Sequence, residues 1–179
     1  MTIPQNFTDL RLALDNLPRL SKVSRSDGPK TSDDRFNHPF SRDNGLKIQK
    51  IGSGHVEADL KANEKHLNRH TTVHGGLLTT AADAVMAAVA QSNAGKNNNK
   101  IEVVRDFAMR FHEPVLPGQA LEIVSELDSS KMSSNGDKEI KFITSEIREG
   151  SGDESRLIGQ ALSTYVMVDP KEYLKGLAA

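Results

Sequence analysis

The segment from Leu77 to Ala90 constrains the fold more than any other part of the chain. It reads Leu-Leu-Thr-Thr-Ala-Ala-Asp-Ala-Val-Met-Ala-Ala-Val-Ala. Leu77, Leu78, Ala81, Ala82, Val85, Met86 and Val89 go most of the way round a helix instead of forming one stripe. Such a helix must be covered by the rest of the chain. It carries a single ionisable side chain, Asp83, and is opened by Gly75 and Gly76. At that end lie amide N–H groups without helical partners and the positive pole of the helix dipole.

The chain has 179 residues, enough for one domain with a real core. With 36% apolar and 26% charged residues it falls on the polar side of a soluble protein. A formal net charge of −1 gives no general pull toward nucleic acid or an anionic membrane. The absence of cysteine removes disulfides, thiolate catalysis and cysteine-bound metal together. The apolar helix is short and interrupted by Asp83, so no membrane insertion is expected. Asp9 and Asp15 among the first Arg residues argue against a transit peptide. The expected compartment is the cytoplasm, with an organelle matrix as the other choice.

Residues 1–43 read as an extension: a short leucine-bearing helix ending by Pro18, then a polar linker from Ser21 to Arg42. His38-Pro39-Phe40 is the part of the linker suited to anchoring on the domain. Residues 44–169 form the main domain. Alternation in Leu46, Ile48, Val56, Ala58 and Leu60 predicts two short strands around Gly52-Ser53-Gly54. The helix follows, with Asn93-Ala94-Gly95 as its C-cap. Ile101 to Phe111 alternates with period two, placing Ile101, Val103, Phe107, Met109 and Phe111 on one side. Glu102, Asp106, Arg110 and His112 fall on the other side. Strands at Ala120–Leu127, Glu139–Ile147 and Arg156–Val168 complete the set, the first two joined through the Asn135-Gly136 hairpin turn. A small helix, Pro170–Leu177, lies in the terminal segment 170–179. The economical architecture is α+β, a curved antiparallel sheet wrapped around one central helix.

Asp83 is costly to bury as an unpaired charge. It either pairs structurally, for instance with Arg105 or Arg110, or acts as a general base on water. The glycine pair either serves close packing or leaves amides open to a carbonyl oxygen. Gly76 and Asp83 are seven positions apart. At 1.5 Å per residue that is about 10 Å along the axis, too far to serve one carbon atom from a single chain. If both act, two copies of the chain are needed, paired so that Asp83 of one faces Gly76 of the other. His66, His70 and His74 have metal-like spacing only on a helix, and this segment precedes one, so no metal is expected. His74 is better suited to fixing the loop. Neither a serine elbow nor a phosphate or dinucleotide glycine loop occurs.

The pattern Asn68-x5-His74-Gly75-Gly76-x6-Asp83, followed only by strands, resembles the hotdog-fold acyl-CoA thioesterases of the phenylacetate-degradation (PaaI-like) type. The likeness runs from about Gly45 to Val168 and includes the turn Phe111-His112-Glu113-Pro114-x3-Gly118. It implies hydrolysis of a fatty or aromatic acyl-CoA with no cofactor beyond the coenzyme A of the substrate, in a homodimer or dimer of dimers, and a place in lipid metabolism. Asp83 would activate water or attack directly, Gly76 would polarise the carbonyl, Asn68 would position water or thioester, and His74 would support the loop. Gly75, Thr72 and Val104 would lie beside the substrate. Two positions depart from the family: Thr71 stands where Gly is common, and apolar Val104 where some relatives have Ser or Thr. A non-catalytic acyl-CoA-binding or scaffold module and a hotdog dehydratase are the competing readings.

Overall fold

The structure, a computed structural model, describes residues 39–92, 99–150 and 155–177. The expected N-terminal leucine helix and the Asn93–Gly95 cap lie outside these residues. A short helix α1 (Pro39–Asp43) leads into β1 (Leu46–Gly52) and β2 (His55–Lys61). A 3-10 turn (Glu64–His66) precedes α2 (Gly75–Ser92). The strands β3 (Ile101–Phe111), β4 (Ala120–Met132), β5 (Glu139–Glu149) and β6 (Arg156–Val168) follow, then α3 (Pro170–Leu177). All six strands form one antiparallel sheet in the order β1-β2-β4-β5-β6-β3.

The sheet closes around α2 for reasons visible in the residues. Ala81, Ala82, Ala88 and Ala90 are buried small side chains that let the helix axis approach the strands. Val85, Met86 and Val89 fill the space between them and Val56, Ala58 and Leu60 of β2, Leu121 and Ile123 of β4, and Ile143 and Ile147 of β5. Burying each such aliphatic chain contributes roughly 1.5–3 kcal/mol. Register breaks at Ile48/Lys50, Val104/Asp106, Leu127/Ser129 and Ile147/Arg148 supply the local bends that curve the sheet. The Asn135-Gly136 turn joins β4 to β5 as expected, with Gly136 at φ +71° and the Ser133 N–H donating to Lys138 O at 2.7 Å.

One expectation about β3 is corrected. A single alternation along the whole strand put Ile101, Val103, Phe107, Met109 and Phe111 together, but the break between Val104 and Asp106 exchanges the faces halfway. Before it, Glu102 turns toward the helix and accepts a hydrogen bond from the Gln91 amide. After it, Phe107 and Met109 pack against the helix-side core, and Met109 Sδ accepts from the Thr79 hydroxyl at 3.5 Å. Val104, paired with Tyr165 of β6, thereby lies on the helix-bearing face.

The helix is not sealed on every side. Gly76 and Thr80 are exposed, and Asp83, Ala84 and Ala87 are half-buried. These positions form one stripe at helical spacing, so α2 has an uncovered face of mostly small residues. β3 is paired only with β6 among the described strands.

Candidate active site

The loop into α2 is built around Asn68. Its Oδ1 accepts from the His70 N–H at 2.7 Å and the Thr72 N–H at 3.4 Å, while its Nδ2 donates to Thr72 Oγ1 at 2.9 Å. Backbone bonds from Asn68 N to Thr72 O and from Thr71 N to Asn68 O close the same turn. The amide is thus largely occupied by its own loop, the usual behaviour of Asn at a turn. Thr71 takes φ +62°, the left-handed region that a β-branched residue enters at a cost of roughly 1–2 kcal/mol. Here the departure from the family pattern has a backbone meaning: Thr occupies a conformation that Gly adopts freely. Thr71→Gly is expected to leave stability unchanged or raise it by up to about 1 kcal/mol, the relief of strain being offset by a more flexible unfolded chain. Urea unfolding measures this, and a clear loss of stability would show that the Thr71 hydroxyl bond to His70 O matters more than the strain.

Val73 then donates its N–H to Val115 O at 2.8 Å, tying the approach to the helix to the Pro114–Gly118 turn. His74 N–H donates to His66 O at 2.8 Å. His66 is itself buried, and its Nδ1 accepts from Asn63 N at 3.1 Å. Burial, and then the Lys65 charge, hold the His66 pKa below its usual value, which favours the neutral ring needed for that acceptor role.

His74 Nδ1 accepts from the Gly76 N–H at 2.8 Å. The imidazole therefore caps the helix where Asp, Ser or Asn commonly does, as an acceptor for the second amide of the first turn. Both glycines now have a physical reason. A Cβ at Gly76 would come within 2.9 Å of His74 Nδ1, and one at Gly75 within 3.1 Å of the Phe111 ring. The ring of Phe111 lies over the helix start and is half exposed. Beside it is a cavity of about 280 Å³ lined by Val73, Gly75, Leu78, Phe111 and residues 112–115.

Asp83 sits two turns further along, half-buried and on the same helix face as Gly76. Its partner is neither arginine considered from sequence. Arg105 pairs with the adjacent Asp106 at 2.7 Å, and Asp83 Oδ1 accepts from the Tyr165 hydroxyl at 2.5 Å. The same hydroxyl lies 2.9 Å from the Asp83 carbonyl oxygen. Burial, the Asp83 charge and the hydrogen bond to it push the Tyr165 pKa far above its usual value, so the phenol stays protonated and donating. Oδ2 of Asp83 has no partner among the described residues. Tyr165 was missed in the sequence because it is 82 residues from Asp83 and reads as one more apolar position of β6. Thr72 is half-buried and engaged by Asn68, and Val104 is exposed on the helix-bearing face.

A long apolar helix held in a curved antiparallel sheet defines this chain as a hotdog-fold protein. A family model described as the Thioesterase superfamily matches residues 70–134, which span His74, the glycine pair, Asp83 and β3. Over that segment the chain is similar to members of that superfamily. Solved structures agree in fold. A conserved protein from Pseudomonas aeruginosa aligns with TM-score 0.65 and 19% identity, covering 77% of this chain and 100% of its own. A phenylacetic acid degradation-related protein from Ralstonia eutropha aligns with TM-score 0.58 and 22% identity, over 72% of this chain and 88% of its own. A hypothetical thioesterase protein from Streptococcus pneumoniae, solved with coenzyme A, gives TM-score 0.58 and 20% identity over 69% of this chain and 88% of its own. No curated protein matches the chain in sequence. Among the described residues, no helix is long and apolar enough to cross a membrane.

Proposed function

We propose that this protein is an acyl-CoA thioesterase, hydrolysing a fatty or aromatic acyl-CoA to the free acid and coenzyme A. One observation carries the reading: in the segment matched by the superfamily model, Asp83 presents a half-exposed carboxylate with one oxygen held by Tyr165 and the other free among the described residues. A carboxylate fixed at one oxygen and open at the other is suited to taking a proton from water. The water oxygen attacks the thioester carbonyl carbon as its proton passes to Asp83. The tetrahedral oxyanion then collapses, the C–S bond breaks, and the proton on Asp83 returns to the departing thiolate. No cofactor enters this sequence, coenzyme A being part of the substrate.

The oxyanion needs donors, and those of the same helix start are about 10 Å from Asp83. We therefore assign them to a second copy of the chain, with the uncovered stripe of Gly76, Thr80, Asp83, Ala84 and Ala87 meeting its counterpart in a two-fold homodimer. For Gly76 to serve, the His74 imidazole must yield the amide it accepts from. Asn68 then acts through the shape of its loop, with Thr72 and Gly75 at the substrate's edge. The engaged Gly76 amide and the missing hydroxyl at Val104 favour one second reading, a module that binds acyl-CoA without hydrolysing it. Coenzyme A in the Streptococcus pneumoniae structure is compatible with either.

The test is thiol release from short, long and aromatic acyl-CoAs, run beside calorimetric binding of the same compounds. Turnover on at least one class supports the thioesterase. Binding without turnover on any class would replace it with the binding module, and neither binding nor turnover would remove both.

A further inference from the structure

Tyr165 belongs to a rung that crosses the sheet. Lys141 of β5, Tyr165 of β6 and Val104 of β3 are direct cross-strand neighbours. The two polar members of the rung both reach α2: Lys141 Nζ donates to Ala90 O at 2.7 Å, and the Tyr165 hydroxyl meets Asp83. Tyr165 itself is only 2% exposed, so its ring is fixed by packing and its hydroxyl has little freedom. A phenol has one proton to give, and two oxygens of Asp83 compete for it at 2.5 Å and 2.9 Å. The charged oxygen is the stronger acceptor and the closer one. The third member, Val104, brings no polar atom, so β3 offers Asp83 no hydroxyl from this rung.

We propose that Tyr165 is the positioning residue of the active site, its hydroxyl holding Asp83 Oδ1 so that Oδ2 faces the attacking water. The proposal rests on Asp83 being the base. Its consequence is independent of turnover: the hydroxyl fixes the Asp83 side chain through its ionised oxygen whether or not a thioester is present. The hydroxyl supplies from β6 what Val104 lacks on β3.

Other charged groups bear on the pair. Glu102 of β3 acts on Tyr165 through space, and Lys141 and Glu139 lie on β5. All three remain in a Tyr165 variant, so a change in Asp83 there reports the hydroxyl.

The experiment follows the Asp83 carboxyl by carbon NMR across pH in wild type and Tyr165→Phe, with the acid limb of kcat/KM recorded in parallel. The expected result is that both move to higher pH in the variant, removal of the donor disfavouring the ionised form. At pH 7, kcat should fall by roughly tenfold while KM changes less than about twofold, as for an interaction made with the base and not with the ground-state substrate. A carboxyl titration that stays where it is in folded Tyr165→Phe overturns the proposal. The chain has only two tyrosines. Should Tyr165→Phe fail to fold, 3-fluorotyrosine incorporated into Tyr173→Phe labels position 165 alone at nearly native size. The more acidic phenol is then expected to move the Asp83 titration to lower pH, and no movement overturns the proposal equally. If instead no thioester is turned over while the carboxyl shifts as expected, the thioesterase reading fails and the Tyr165–Asp83 contact stands.

Discussion

Replacing Asp83 by Asn is expected to lower kcat for thiol release by between about 100-fold and 10,000-fold, the range in which a positioned general base acts. Asn is nearly the same size and its carbonyl oxygen can still accept from Tyr165, so the contact that fixes the side chain is retained. What is lost is the ionised oxygen that takes the proton from water. KM should change by less than about threefold, because the carboxylate is assigned to the transition state and not to binding. Folding should be unimpaired, since Asp83 is half-buried and faces the uncovered side of α2. Steady-state kinetics with thermal unfolding of both proteins decides the matter. A variant that is folded and keeps more than about a tenth of wild-type kcat would exclude Asp83 as the base. A variant that binds acyl-CoA as before, beside a wild type that is equally inactive, would instead favour the binding module.

The elements were legible in the sequence where one segment's composition settled its own fate. An alanine-rich helix, apolar most of the way round, demanded a wrapping sheet, and the strands after it were separated by turn residues such as Asn135-Gly136. The same applies to β1 and β2 around Gly54, which takes φ +77°. What could not be read was whatever depends on register. Alternation along β3 is regular in the sequence, yet one irregularity at Val104/Asp106 reverses its faces, and nothing in the residue types marks the place. Likewise, the partner of Asp83 follows from Tyr165 lying opposite Val104, a pairing set by the whole β3–β6 ladder.

The approach to the helix divides in the same way. The glycine pair was visible as a feature with two meanings, packing or exposed amides. The structure gives packing reasons for both glycines, because His74 and Phe111 fill the space that side chains would take. That His74 caps the Gly76 amide is a local contact, two residues away, but histidine is an uncommon capping residue and carries no such signal in sequence. Lys141 is the clearest failure of pattern reading. A lysine in the middle of a strand is expected to reach solvent, and here it is fully buried.

That burial leads to the largest expected effect on stability. Lys141→Ala should lower the unfolding free energy by about 3 kcal/mol, since it leaves the Ala90 carbonyl without its donor and opens space beneath the helix. For a chain of this size the loss corresponds to a Tm lower by roughly 6–12 °C. Ala90 lies in the last turn of α2, where the helix dipole favours a cation, and the neighbouring Val89 carbonyl is already served by Ser92. Lys141→Met keeps most of the stem and gives up both the bond and the charge, so its loss should be smaller than that of Ala. Burial pulls the Lys141 pKa below its usual value, Glu139 and Glu102 oppose that pull, and Lys100 adds to it. The sign of the pH effect follows. Between its folded and unfolded pKa values Lys141 binds fewer protons when folded, so wild type should gain stability as pH rises through this window toward about 10.5. It should lose the same increment as pH falls back through the folded pKa. Lys141→Met should lack this increment, and urea unfolding of the two proteins from pH 8 upward isolates it from the other titrating groups. Equal slopes would mean that Lys141 reaches solvent in the folded protein, and an alanine variant within about 0.5 kcal/mol of wild type would remove its role at the helix end.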